Sequence, residues 1–97
     1  MAFEIRWTNR AASNLDKIVN YLLAEWGERS VIKLLNRIKG FLDVIKEKPL
    51  VGKIEIEESN LRSFVLSRHN TLLYRLKGNT IILIALIDNR QERKKRI

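Results

Sequence analysis

Nine cations, Arg62, Arg68, Arg75, Lys77, Arg90, Arg93, Lys94, Lys95 and Arg96, fall within residues 60–97, where only Asp88 and Glu92 oppose them. That segment holds +7 of the formal net charge of +8, and everything before it is close to neutral. Clustered cations focus a positive field, so this half of the chain suits a polyanion or an acidic protein. A solvated basic surface is the plainer reading, and it fits Arg93 to Arg96 best. Where arginines sit on a strand the chemistry is more specific, because a planar guanidinium binds two phosphate oxygens at once.

Groups for acid–base work are few. Histidine is the side-chain type that titrates near neutrality, and the chain has one, His69. Arg68-His69-Asn70 lies between two strand-like runs and reads as a hairpin turn, which favours a turn histidine over a catalyst. Glu55, Glu57 and Glu58 offer a general base, but three acids in a polar connection also keep a neighbouring sheet edge from sticking. Tyr74 alternates with Leu72 and Leu76 and reads as core. With no Cys, disulfides and thiolate metal sites are excluded, and one His makes no zinc site, so neither metal nor cofactor is expected.

The elements that must carry these groups follow from periodicity. Phe3, Ile5 and Trp7 alternate with Glu4 and Arg6, the pattern of a strand with one buried face. Thr8 or Asn9 can cap a helix over about 9–26, with Ala11, Leu15, Ile18, Leu22 and Trp26 as its apolar stripe. Gly27 stops it. A second stripe, Val31, Leu34, Leu35, Ile38, Leu42 and Ile45, starts almost at once, so the helices fold back as an antiparallel hairpin until Pro49 and Gly52 end the second. An acidic connection then leads to three strands, Leu61–Ser67, Thr71–Lys77 and Thr80–Ile87, the last two joined by a Gly78-Asn79 turn. The result is an α+β domain of order β-α-α-β-β-β, with the helix hairpin on one face of a small, mostly antiparallel sheet. Apolar residues on the other face then need a second cover: a partner chain, a second copy or the C-terminal tail.

At 97 residues, 45% apolar and 31% charged, the chain is one folded domain, 1–97, with 90–97 expected to form a flexible basic tail. No stretch approaches a membrane span and the N-terminus lacks a signal pattern, so a cytoplasmic protein without membrane contact is expected.

The order of strand, helix hairpin, Pro-x-x-Gly and three strands ending in Arg resembles the RelE/ParE superfamily, the toxins of bacterial type II toxin–antitoxin (plasmid stabilisation) modules. The carriers are Trp7 and Ala11, Leu15-Asp16-Lys17-Ile18 with Tyr21, Trp26-Gly27, Pro49-Leu50-Val51-Gly52, Leu61-Arg62, Leu72-Leu73-Tyr74-Arg75 and Ile84-Ala85-Leu86-Ile87-Asp88-Asn89-Arg90. The resemblance implies a growth inhibitor held inactive by a cognate acidic antitoxin, as a homodimer or a toxin–antitoxin heterotetramer. Its target would be DNA gyrase (ParE-like) or ribosome-bound messenger RNA (RelE-like, a metal-independent endoribonuclease). In the second case the resemblance makes Arg62, Arg90 and Lys53 the catalytic candidates. In either case Arg62, Arg68, Arg75, Lys77 and Arg90 are candidates for contact with nucleic acid or target.

Three features divide the targets. After Arg90 the tail lacks the Tyr or His that RelE-like nucleases carry near the C-terminus, which counts against cleavage, and the long helix hairpin is ParE-like. A charge of +8 is more natural for a protein that enters a ribosome. A basic RNA-binding module without toxicity is a third reading. It is weaker, because aromatic-lined strands and a Gly-x-x-Gly clamp are both missing.

Overall fold

Thr8 closes the first strand and opens the first helix, and it fastens both to the centre of the sheet. In the computed structural model, which describes residues 3–89, the Thr8 hydroxyl accepts from the Ala11 N–H at 3.1 Å. It also donates to the Leu83 carbonyl at 2.8 Å. The acceptor role is that of an N-cap, supplying one of the helix's unpaired N–H groups with a partner. Around this junction the order is β1 (Glu4–Trp7), α1 (Asn9–Trp26), α2 (Glu28–Glu47), β2 (Lys53–Ile56), β3 (Leu61–Ser67), β4 (Asn70–Lys77) and β5 (Thr80–Asp88).

A single residue, Gly27, separates the helices. Its φ of 86° lies where a side chain is strained, so glycine permits the reversal that makes the hairpin. The five strands form one sheet in the order β1-β5-β4-β3-β2. β1 runs parallel to β5, and the other neighbours are antiparallel. The α+β architecture is thus the one expected from the periodicity. The short strand β2 is an addition: Lys53-Ile54-Glu55-Ile56 pairs with β3 as an edge strand, where the sequence had suggested only an acidic connection.

Helix residues Ala11, Ile18, Leu34, Ile38, Phe41 and Ile45 join Leu72, Tyr74, Ile81, Leu83 and Leu86 in one buried cluster. Phe41 anchors it, with ring centroids 4.2 Å from Phe64 and 5.8 Å from Tyr74. Such aromatic pairs add to the burial term. β1 ends opposite Leu83, and beyond it the Leu86 N–H is satisfied by Asn14 Oδ1 at 3.1 Å. A helix side chain thus caps a sheet edge that no strand covers.

The helix stripes differ from expectation at two positions. Trp26, at the tip of the hairpin, is 65% exposed, and Leu35 is 43% exposed because it lies one position off the buried face formed by Leu34, Ile38, Phe41 and Ile45. The face away from the helices is only partly open. Val65 is exposed, whereas Ile82 and Ala85 are buried without belonging to the helix-side cluster. The expected tail, 90–97, lies outside the described residues.

Candidate functional site

The strand register sorts the cations of the sheet. Arg62 on β3 stands opposite Tyr74 on β4, which places it on the helix side. Arg75 stands opposite Leu61 and Ile82, and Ile82 is in turn opposite Arg6, so Arg6 and Arg75 flank Ile82 on the other face. Lys53 is opposite Ser63 and Lys77 is opposite Thr80, on that same face. Here the alternation of the sheet gathers Arg6, Lys53, Arg75 and Lys77 around Leu61, Leu73 and Ile82. The Ser63 hydroxyl also donates to Glu55 Oε2 at 2.6 Å, and Glu4 stands opposite Thr80 beside Lys77, so two acids accompany the cations of this surface. Arg75 is half-buried, and its Nε is buried with no hydrogen-bond partner among the described residues.

Arg62 departs from the expectation of an exposed cation. It is 9% exposed. Its Nη1 donates to the Gly52 carbonyl at 3.0 Å and to the Leu50 carbonyl at 3.1 Å. Its Nε donates to Asn60 Oδ1 at 3.2 Å. Asn60 itself has a φ of 55°, a left-handed conformation that Asn tolerates better than most residues. Much of the Arg62 fork is therefore spent on its own chain.

The Tyr74 hydroxyl holds the same segment from the other side. It donates to the Pro49 carbonyl at 2.9 Å and accepts from the Gly52 N–H at 2.8 Å. Burial pushes this phenol above its ordinary value, opposed by the Gly52 N–H bond and by the nearby Arg62 charge. The group therefore stays protonated and able to donate. Only glycine fits at 52, since a Cβ there would lie 2.5 Å from the Tyr74 hydroxyl and 2.9 Å from the Ser63 carbonyl. Pro49, Gly52, Asn60, Arg62 and Tyr74 form a latch that fixes the entry to β2.

Residues 5–93 match the family described as the ParE toxin of the type II toxin–antitoxin system parDE. This chain belongs to the ParE toxin family. That match places the chain in the RelE/ParE superfamily as a toxin of a type II toxin–antitoxin system. Among solved structures, the chromosomal ParDE toxin–antitoxin system of Pseudomonas aeruginosa is similar at a TM-score of 0.73 and 20% identity, covering 90% of this chain and 96% of that one. The RelBE2 toxin–antitoxin complex of Mycobacterium tuberculosis is similar at 0.60 and 22% identity, covering 91% and 99%. A YoeB/ParE toxin of Agrobacterium tumefaciens is similar at 0.64 and 12% identity, covering 88% and 96%. At these identities the structures show a shared fold. No curated protein matches the sequence.

Within this ParE-type toxin the remaining candidates are scattered. Arg68 is exposed in the β3–β4 turn, and its carbonyl accepts from Asn89 Nδ2 at 3.4 Å. Arg90 lies outside the described residues. Of the catalytic candidates Arg62, Arg90 and Lys53, the two among the described residues, Arg62 and Lys53, lie on opposite faces of the sheet, and the contact candidates Arg75 and Lys77 share the face of Lys53. Among the described residues no group of three or more His, Cys, Asp or Glu could hold a metal ion. No described helix is long and apolar enough to cross a membrane. The Arg62–Tyr74 latch was missed by sequence reasoning. Its only signal was the Pro49-x-x-Gly52 spacing, which points to a tight segment and leaves its partners unnamed.

Proposed function

We propose that this toxin arrests bacterial growth by poisoning DNA gyrase and that a co-encoded acidic antitoxin neutralises it. The observation that carries the reading is the commitment of Arg62. A metal-free ribonuclease needs a guanidinium free to meet the charge growing on the phosphate, together with groups to move two protons. Here Arg62 Nη1 and Nε donate to Leu50, Gly52 and Asn60, the Tyr74 hydroxyl is engaged with Pro49 and Gly52, and residues 91–97 include neither Tyr nor His. A gyrase poison needs no such set. Cleavage of ribosome-bound messages is the second reading, favoured by the charge of +8.

The antitoxin is expected on the sheet face away from the helices. Apolar Leu61, Leu73 and Val65 beside Arg75, Lys77 and Lys53 suit a segment that folds on binding and offers apolar anchors with carboxylates. The unpartnered Arg75 Nε would find its acceptor there.

Expression of the chain alone tests the reading. Growth should stop with induction of the DNA-damage response, and co-expression of the adjacent acidic reading frame should restore it. Arrest with no DNA-damage response, accompanied by cut messages, would transfer the assignment to the ribosome. Unimpaired growth at verified soluble expression would refute a toxin.

A further inference from the structure

Where the helix hairpin overhangs the β3–β4 turn, the structure has a cleft of about 330 Å³ whose lining includes Leu22, Trp26, Lys33, Arg37, Arg68 and Asn70. This volume falls within the range of small-molecule sites, roughly 300–1,000 Å³. Three observations converge on one ligand chemistry. Its described lining contains three cations, Lys33, Arg37 and Arg68, and no acid, so an anionic head is favoured. Arg37 is held there by donating from Nη1 to the Leu66 carbonyl at 3.2 Å.

Trp26 is 65% exposed beside the leucines. A large indole left in solvent on a concave surface is a platform for a flat ring, and base–indole stacking is sequence-tolerant because every base has a π-face. Asn70 supplies the third observation. It is 6% exposed, and its Nδ2 is buried with no hydrogen-bond partner among the described residues. A buried donor left unpaired is uncommon and marks a position where an acceptor belongs. A purely apolar occupant would leave that donor stranded, whereas a nucleobase carbonyl or ring nitrogen would satisfy it.

We propose that this cleft binds a nucleoside monophosphate, with its base on Trp26, a base acceptor on Asn70 Nδ2 and its phosphate among Lys33, Arg37 and Arg68. The site lies on the helix-hairpin side of the molecule, apart from the sheet face assigned to the antitoxin, and it is independent of the toxin's target. Binding there would make the toxin responsive to nucleotide.

Titration of the purified chain with UMP and AMP, followed by amide and indole NMR shifts, tests the site, with uridine and inorganic phosphate as controls. The Trp26 indole and the Asn70 side-chain amide should move in a saturable way with the nucleotides. Uridine and phosphate alone should bind at least about tenfold more weakly, since each lacks one of the two recognition elements. Lys33→Gln alters an exposed side chain and should weaken nucleotide binding with an unchanged melting temperature. Asn70→Asp, which replaces the donor with a second anion, should weaken it by about tenfold or more. Unmoved Trp26 and Asn70 signals at millimolar nucleotide would overturn the proposal. So would equal affinity for phosphate and UMP, or undiminished binding by folded Lys33→Gln.

Discussion

Arg62 and Tyr74 face each other across β3 and β4 and fasten the same four-residue segment, Pro49 to Gly52, from two sides. Arg62 takes the Leu50 and Gly52 carbonyls, and Tyr74 takes the Pro49 carbonyl and the Gly52 N–H. Removing the phenol oxygen by Tyr74→Phe leaves a buried donor and a buried acceptor unsatisfied and should cost about 1–3 kcal/mol. Arg62→Ala strands two carbonyls and should cost about 3 kcal/mol. Chemical denaturation measures both, and a loss below about 0.5 kcal/mol, the level of an ordinary surface site, would show that the latch is idle.

The same phenol sets an alkaline limit. Its pKa in the fold is raised above the ordinary 10.0, so the folded chain keeps a proton that the unfolded chain has released. The stabilisation is therefore complete below that ordinary value and is lost as pH rises through the higher folded one. Wild type should lose stability faster than Tyr74→Phe as pH rises above about 10, as read from melting temperatures. Parallel profiles would contradict the assignment.

Gly52→Ala should destabilise by roughly 1–3 kcal/mol, the usual cost of overpacking, because the new methyl meets the Tyr74 hydroxyl at 2.5 Å. Combined with Tyr74→Phe it should cost less than the sum, since the colliding oxygen is gone. Rescue should be partial, because the ring carbon Cε1 at 2.8 Å and the Ser63 carbonyl at 2.9 Å remain. Strict additivity in the double-mutant cycle would place the two residues out of contact.

Arg75 separates partner binding from folding. Its Nε has no hydrogen-bond partner among the described residues, so Arg75→Leu should leave the melting temperature within a few degrees of wild type. It should weaken the antitoxin by about tenfold in a binding titration, the scale of one charge-assisted hydrogen bond. An unchanged affinity would move the antitoxin off this face.

Much of this architecture is legible in the residues themselves. Thr8 and Gly27 bound α1 because a cap and a left-handed stop are local chemistry, and Gly78-Asn79 joins β4 to β5 for the same reason. Edge strand β2 escaped notice because Glu55, Glu57 and Glu58 outweigh the alternation of Ile54 and Ile56. Arg62 could not be read as buried, since the two carbonyls it takes lie 10 and 12 residues away and meet it only once β2 and β3 have paired. Nor could the exposure of Trp26: helical spacing puts it on the apolar stripe, and whether the hairpin tip is covered depends on how it meets the β3–β4 turn. The cleft with Asn70 depends on that same arrangement.

The most direct measurement of the account incubates the purified toxin with gyrase and supercoiled DNA, and in parallel with translating ribosomes loaded with a defined message. Accumulation of gyrase-linked, cleaved DNA together with an intact message is the predicted result. Message cut at codon-defined positions, with gyrase unaffected, would contradict it and would require Arg62 to leave its latch to serve as a phosphate ligand.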